Sequence, residues 1–140
     1  MTVVARGESG LRVDIEADGH RFVADEPPPE GGGSGPSPYD LLLGALGACT
    51  VMTLRLYAER KGWPLKEVQV RLGTYKIYGR DCAECDGDPN ARLDMIEREI
   101  TLEGGLTAEQ VARLGQIADR CPVHRTLTGE IRVRTEVLTR

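Results

Sequence analysis

The sequence lacks any long block of charge of one sign. Its 140 residues carry 18 Lys and Arg against 22 Asp and Glu, for a net charge of −4. A protein that binds DNA or RNA needs a concentrated basic surface to neutralise phosphates. The dispersed and slightly acidic charge therefore argues against a nucleic-acid partner.

Targeting and membrane signals are missing as well. Residues 1–20 have neither the basic start nor the continuous apolar core of a secretory signal. The longest weakly polar stretch, residues 41–54, is 14 residues long, whereas a membrane-spanning helix needs about 20. We therefore expect a cytoplasmic protein with no membrane partner, in which this stretch forms a buried core helix.

Several familiar catalytic motifs are also absent. The sequence contains no G-x-G-x-x-G, no P-loop and no G-x-S-x-G, and its carboxylates fall mainly on the polar faces of the predicted elements. The glycines of residues 31–35 lack the Lys and Ser/Thr that would hold a phosphate, so we interpret them as a flexible loop. Nucleotide binding, serine hydrolysis and hydrolysis by a carboxylate pair are therefore not indicated.

The pattern of apolar residues predicts an α+β fold. Alternating apolar and polar positions indicate strands at residues 11–17, 20–24, 68–77, 93–102 and 131–137. Two capped helices are predicted, one from Ser37 to Lys61 and one opening at Thr107, with Gln110 three residues on. The elements do not alternate as a parallel α/β sheet requires, and the length suits a single domain over residues 1–140.

The two helices differ in their apolar faces. The first is apolar or small on nearly every face, which needs more cover than one chain of this size supplies, so we predict a homodimer. The second has one apolar face, formed by Val111, Leu114, Ile117 and Ala118, and Cys121 continues it.

Cys49 lies in the middle of the first helix among small residues, including Gly44 and Gly47. Its small neighbours would let another element approach closely. On residue type alone, a cysteine in such a helix is either a small buried hydrophobe or a reactive thiol.

Cys121 precedes a proline, and Pro122 suits the first turn of a new helix. A thiol at a helix N-terminus has a lowered pKa, and His124 and Arg125 could add positive charge. The alternative is that Cys121 is the last core residue of the preceding helix and that His124 and Arg125 form a solvated turn.

Cys82 and Cys85 form a C-x-x-C that can be combined with Cys121 and His124 into a set resembling zinc ligands. The 35 residues between Cys85 and Cys121 are longer than the spacing of compact zinc modules. Without a metal, the C-x-x-C is a reversible disulfide or a pair of unreactive surface thiols. We expect no structural disulfide framework, because the core is large enough without one.

Two separated motifs resemble those of the osmotically inducible protein C family, which includes the organic hydroperoxide resistance proteins. The stretch SPYDLLLGALGAC ends at Cys49, and CPVH begins at Cys121. The order of loop, central helix, strand pair, second helix and final strand is also similar to that of the family, so the resemblance covers nearly the whole chain.

The resemblance implies an intertwined α+β homodimer with antiparallel sheets packed around two central helices. Cys49 would be the peroxidatic thiolate that reduces an organic hydroperoxide to an alcohol, and Cys121 the resolving thiol that forms a disulfide with it. A dithiol reductant would reopen that disulfide. No metal, haem or flavin is implied. A non-catalytic redox sensor, or a zinc- or thiol-binding module using Cys82, Cys85, Cys121 and His124, remains the alternative.

The chain departs from the family pattern at the residues that activate the first thiol. Tyr39, followed by Asp40, stands where the family has a Glu that orients an arginine. Arg6 and Arg12 both lie near the region expected for that arginine, and neither belongs to a clear motif.

Overall fold

A computed structural model describes all 140 residues, Met1–Arg140. The chain divides into two compact units, Met1–Ala45 and Leu46–Arg140, and the boundary falls inside the first helix. Helices and antiparallel sheets are both present, so the predicted α+β class is confirmed.

The first unit begins with a three-stranded antiparallel sheet. Its strands are β1 (Val3–Arg6), β2 (Val13–Ala17) and β3 (His20–Ala24), in the order β1-β2-β3. Asp18 and Gly19 both have positive φ, 48° and 85°, which matches the twist of a two-residue hairpin turn. The predicted hairpin is therefore confirmed, while β1 was not predicted, because four residues that are all exposed leave no buried alternation.

The glycine-rich loop after β3 is held by one carboxylate. Asp25 is 4% exposed, and its side chain accepts hydrogen bonds from Glu26 N at 2.8 Å, Ser34 N at 3.1 Å and Ser34 Oγ at 2.6 Å. The bonds from Ser34 lower the pKa of Asp25. A side chain on Gly31 would collide with Glu26 O. The prediction of a flexible loop is wrong, since the glycines let the backbone close around the buried carboxylate.

Helix α1 (Pro38–Lys61) has the predicted start and end. At its start, Ser37 Oγ accepts from Asp40 N at 3.2 Å, and the Asp40 carboxylate accepts from Ser37 N at 2.9 Å. These reciprocal bonds satisfy N–H groups that the helix leaves free. The helix is followed by Gly62, whose φ of 69° is the left-handed conformation that commonly terminates helices.

The second unit contains a long hairpin and two further helices. Strands β4 (Leu65–Tyr78) and β5 (Arg92–Gly104) pair with each other in an antiparallel sheet, with a short 3₁₀ turn, Gly79–Asp81, in the connection. Helices α2 (Ala108–Ala118) and α3 (Pro122–Thr128) follow. The Thr107–Gln110 capping box of α2 is present as predicted.

The core of the second unit lies between α1, α2 and the hairpin. Its buried members are Leu54, Ala58, Leu65, Leu114, Ile117 and Ala118. Leu54 and Leu114 are wholly inaccessible to solvent. Val111 was predicted on the buried face of α2 but is 45% exposed, because it lies at the first turn, beyond the part of α2 that packs into the core.

Within a single chain α1 is buried on one face only, so one chain does not supply all the cover that its apolar composition was predicted to need. The buried residues of α1 share one face, where Leu46, Thr50, Leu54 and Ala58 recur every four residues and Gly47 lies beside Leu46. On the other side, Met52 and Leu56 are 63% and 58% exposed. By length and composition alone α1 could also span a membrane, a criterion that the core helices of water-soluble proteins meet as well.

The predicted closing strand at residues 131–137 is absent. The chain has no regular secondary structure beyond Gly129, and Ile131, Val133 and Val137 are 55%, 85% and 84% exposed. A strand exists only when a neighbour accepts and donates its backbone hydrogen bonds. Within this chain β4 and β5 pair only with each other, so the alternating segment has no strand beside it.

Candidate active site

Cys49 lies on α1 where a strand comes close to the helix. Its side chain is half-buried and its thiol is free. At Gly47, two residues earlier, an added Cβ would stand 2.9 Å from Leu72 Cδ1 of β4. The close approach expected from the small residues around Cys49 is therefore present, and it makes Gly47 part of the packing that positions Cys49.

Cys121 is fully buried at the start of α3. It is the N-cap residue, Pro122 occupies the first turn as predicted, and His124 N points at Cys121 Sγ from 3.5 Å. Its own N–H donates to Ala118 O at 3.3 Å, which ties the turn between α2 and α3 together. The sulfur therefore faces the N–H groups that begin a helix.

The two thiols lie close enough to shift each other's pKa. Burial and the hydrogen bond with Cys121 raise the pKa of Cys49, more than Val123 N–H and the Thr53 hydroxyl lower it. Burial also raises the pKa of Cys121, but hydrogen bonds from the Cys49 thiol, His124 N–H and Val123 N–H outweigh it and lower that pKa. The direction for Cys121 agrees with the lowered pKa expected of a thiol at a helix N-terminus.

The pair therefore has a defined distribution of charge. Cys121, whose pKa is lowered, is the thiol of the pair that ionises more easily, and Cys49, whose pKa is raised, ionises less easily. The family resemblance placed the thiolate on Cys49 instead. Because the two groups titrate together, ionisation is a property of the pair, and the proton moves between them during a reaction.

A surface cavity of about 240 Å³ lies next to the pair. Thr53, which hydrogen-bonds Cys49, and Pro122, which follows Cys121, belong to its wall. Leu56, Tyr57 and Ile117 supply apolar surface to the same wall, and Arg60 and Arg120 add two cationic side chains to it. The cavity can hold a small, largely apolar molecule beside the half-buried thiol.

Arg98 is the residue near the pair that the sequence analysis missed. Its side chain is only 12% exposed, and Nη1 donates to Thr50 Oγ1 at 3.1 Å and to Ala118 O at 3.3 Å. Nη2 donates to Asp119 Oδ1 at 3.0 Å. The signal was present in the sequence, because Arg98 occupies a position of β5 at which the alternation demands an apolar residue.

The arginines considered from the sequence lie in the first unit. Arg6 ends β1, and Arg12 forms an exposed ion pair with Asp14 at 3.1 Å. Tyr39, in the first turn of α1, is 57% exposed.

Cys82 and Cys85 are joined by a disulfide in the connection between β4 and β5. Cys82 is buried and Cys85 is exposed. Cys121 and His124 are not brought together with them, since no group of three or more His, Cys, Asp and Glu side chains is arranged to hold a metal ion. The disulfide spans three residues and links no two elements of the core.

Changing both cysteines of this disulfide, Cys82→Ser with Cys85→Ser, is expected to leave the reactivity of Cys49 and Cys121 toward a hydroperoxide within about twofold of the parent, because the bond links no two elements of the core. The acidic neighbours Asp81, Glu84 and Asp86 also disfavour a reactive thiolate there. Turnover, zinc content and melting temperature should be measured on both proteins. Stoichiometric zinc in the parent, lost in the double variant together with a marked fall in melting temperature, would contradict this prediction.

The fold and the site together define a class of protein: a small α+β domain with two free thiols close together, one of them at a helix N-terminus. A family model described as OsmC-like protein matches residues 31–136. The chain belongs to this family. No curated protein sequence matches it.

Solved structures of the family have the same fold. A protein of Psychrobacter arcticus 273-4 assigned to the osmotic stress and detoxification response superposes with a TM-score of 0.70 at 18% identity, over 90% of this chain and 87% of that one. The organic hydroperoxide resistance protein OsmC of Legionella pneumophila gives 0.64 at 19%, over 92% and 90%. The organic hydroperoxide resistance protein OhrB of Bacillus subtilis gives 0.62 at 18%, over 91% and 90%.

Proposed function

We propose that the protein is a thiol peroxidase that reduces organic hydroperoxides to alcohols with Cys49 and Cys121. The observation that carries the proposal is the proximity of two free thiols that shift each other's pKa, one buried at a helix N-terminus and the other half-buried beside a partly apolar cavity. Family members named as organic hydroperoxide resistance proteins share the fold and support the choice of substrate.

The proposed reaction begins at Cys49, the more accessible of the two sulfurs. Its sulfur attacks the terminal oxygen of the hydroperoxide as its proton passes to the Cys121 thiolate. An S–O bond forms and the O–O bond breaks, so Cys49 becomes a sulfenic acid and the peroxide is reduced by two electrons. The departing alkoxide takes the proton back from Cys121 and leaves as the alcohol.

Cys121, again a thiolate, then closes the catalytic disulfide. It attacks the Cys49 sulfenic sulfur, an S–S bond forms, and the S–O bond breaks to release hydroxide, which takes a proton from solvent. The thiols already lie close enough to shift each other's pKa, which favours this step. A dithiol reductant returns two electrons by thiol–disulfide exchange.

A homodimer in the cytoplasm is part of the same proposal. Met52 and Leu56 leave the outer face of α1 uncovered within one chain. The apolar positions of the C-terminal segment are exposed as well, at Ile131, Val133 and Val137. Large apolar side chains in two separate segments are typical of surfaces that a second copy covers.

The test of the activity is a single-turnover experiment followed by steady-state turnover. Adding one equivalent of cumene hydroperoxide to reduced protein should consume two thiols, and non-reducing peptide mapping should find Cys49 joined to Cys121. With excess dithiol, the alcohol should accumulate over many turnovers, faster than hydrogen peroxide is consumed. A disulfide that forms without turnover would instead identify a redox sensor, and no reaction of either thiol would overturn both.

A further inference from the structure

Arg98 is a charged side chain on the inward-facing side of a strand. Arg98 lies on the same face of β5 as the partly buried Ile96 and Ile100. The residues on either side of it, Glu97 and Glu99, are exposed. Withdrawing a guanidinium from water is costly unless its N–H groups find acceptors. Its acceptors therefore indicate what keeps an arginine at this position.

Each acceptor of Arg98 is connected to Cys121. The Thr50 hydroxyl lies 3.1 Å from Nη1 and donates to Leu46 O, and it is near enough to the Cys121 sulfur to lower the pKa of that thiol. Ala118 O, 3.3 Å from Nη1, accepts the Cys121 N–H at the same distance. Asp119, bonded to Nη2, lies 3.9 Å from Nε2 of His124, whose backbone N–H faces the sulfur.

From this geometry we propose that Arg98 is a positioning residue for the redox pair, which fixes the Cys121 sulfur from two sides through the Thr50 hydroxyl and the Ala118 carbonyl. The proposal rests on the proposed function in taking this pair as the reactive one. Arg98 reaches the pair from β5, while Thr50 lies on α1 and Ala118 ends α2, so one side chain holds three elements in register around the sulfur.

The Thr50 hydroxyl explains how Arg98 acts on the charge of Cys121. A hydroxyl has a single hydrogen, which Thr50 gives to Leu46 O at 2.7 Å or, by rotation, to the Cys121 sulfur. Because Arg98 donates to the same oxygen, it makes that hydroxyl a stronger donor. The thiolate of Cys121 gains from this, whereas the neutral thiol gains little.

The test follows thiolate formation directly, so it does not require peroxidase activity. In the Cys82→Ser, Cys85→Ser background only Cys49 and Cys121 titrate, and the ultraviolet absorbance of the thiolate gives the pH midpoint of the first ionisation. Arg98→Met should move this midpoint upward by about one pKa unit, since the Thr50 hydroxyl, no longer bonded to Nη1, becomes a weaker donor to the thiolate. Arg98→Lys keeps the positive charge but lacks the planar guanidinium that donates to several acceptors at once, so it should give an intermediate shift.

Two comparisons separate positioning from mere stabilisation. Arg113, which bonds Tyr57 and Gln116, is a matched control in the same unit, and Arg113→Met should leave the midpoint unchanged. Thr50→Val removes the connecting hydroxyl and should raise the midpoint on its own. In that background Arg98→Met should add less than half of its original shift, because the two residues act on the sulfur in series.

An unchanged midpoint in Arg98→Met, with only a lower melting temperature, overturns the proposal. So does a shift of full size in the Thr50→Val background. If Arg98→Met does not fold, Thr50→Val alone tests the proposal. An unchanged pH midpoint of thiolate formation in Thr50→Val then overturns the proposal. Cumene hydroperoxide turnover is measured in parallel: a parent without turnover would refute the peroxidase and leave the titration result standing.

Discussion

Cys49→Ser is expected to lower the turnover of organic hydroperoxide on the order of a thousandfold or more, the scale of loss seen when an enzyme loses its nucleophile. The serine hydroxyl is isosteric but does not ionise near neutral pH and cannot form a sulfenic acid. Cys121 cannot replace the lost thiol, because it is fully buried. Alcohol formation from cumene hydroperoxide, followed with excess dithiol, provides the measurement.

Cys121→Ser is the matched variant, and its effect should differ in kind. After one equivalent of peroxide it should retain a sulfenic acid at Cys49, which a dimedone-type reagent would label, because no thiol is left to condense with it. Full turnover in Cys49→Ser, or the label on Cys121 in the parent, would refute the proposed roles of the two residues.

The pH dependence distinguishes these roles further. The parent should react at a pH below the usual thiol range, because Cys121, whose pKa is lowered, is ionised there and can accept the Cys49 proton. In Cys121→Ser that acceptor is gone, and burial still raises the pKa of Cys49. The rate of sulfenic acid formation should then increase only at higher pH, as Cys49 ionises on its own. Identical profiles for the two proteins would contradict the shared proton.

Local signals in the sequence were sufficient for most elements of the fold. The Ser37 and Thr107 caps, the Asp18-Gly19 turn and the Cys121-Pro122 helix start all depend on residues within a few positions of one another. Their hydrogen bonds close within the same turn, so neighbouring residues determine them. The limits of α1 could be predicted for this reason.

The site was harder to predict because it depends on contacts distant in sequence. Nothing in the spacing of Cys49 and Cys121 requires them to meet, and their pairing was implied only by the family resemblance. Arg98 reaches Thr50 across 48 positions. The sequence shows that an arginine occupies a position of the strand where an apolar residue is expected. Only the folded structure shows which groups accept its hydrogen bonds.

The exposed side of α1 and the missing closing strand have one physical explanation. Residues 131–137 alternate as a strand does, yet backbone pairing requires a neighbour that this chain does not supply. Met52 and Leu56 are likewise apolar without cover. In the proposed homodimer a second copy would supply both the pairing and the cover, which an analysis of a single chain cannot anticipate.

The effect of the C-terminal segment on dimer formation is the second large prediction. Replacing two of its alternating apolar residues, Ile131→Ser and Val133→Ser, should weaken the dimer about ten-thousandfold, because the dimer loses four side chains that each contribute about 1.5 kcal/mol when buried. Sedimentation at micromolar concentration should then show monomer where the parent is dimeric.

The control replaces two of the alternating polar residues of the same segment, Arg132→Ser with Arg134→Ser. Since Arg132 makes only an exposed ion pair with Glu130, and such pairs contribute about 1 kcal/mol at most, the control should remain a dimer. Equal weakening in both variants would mean that the segment acts through its charge or backbone rather than by burying its apolar side, and a monomeric parent would remove the dimer altogether.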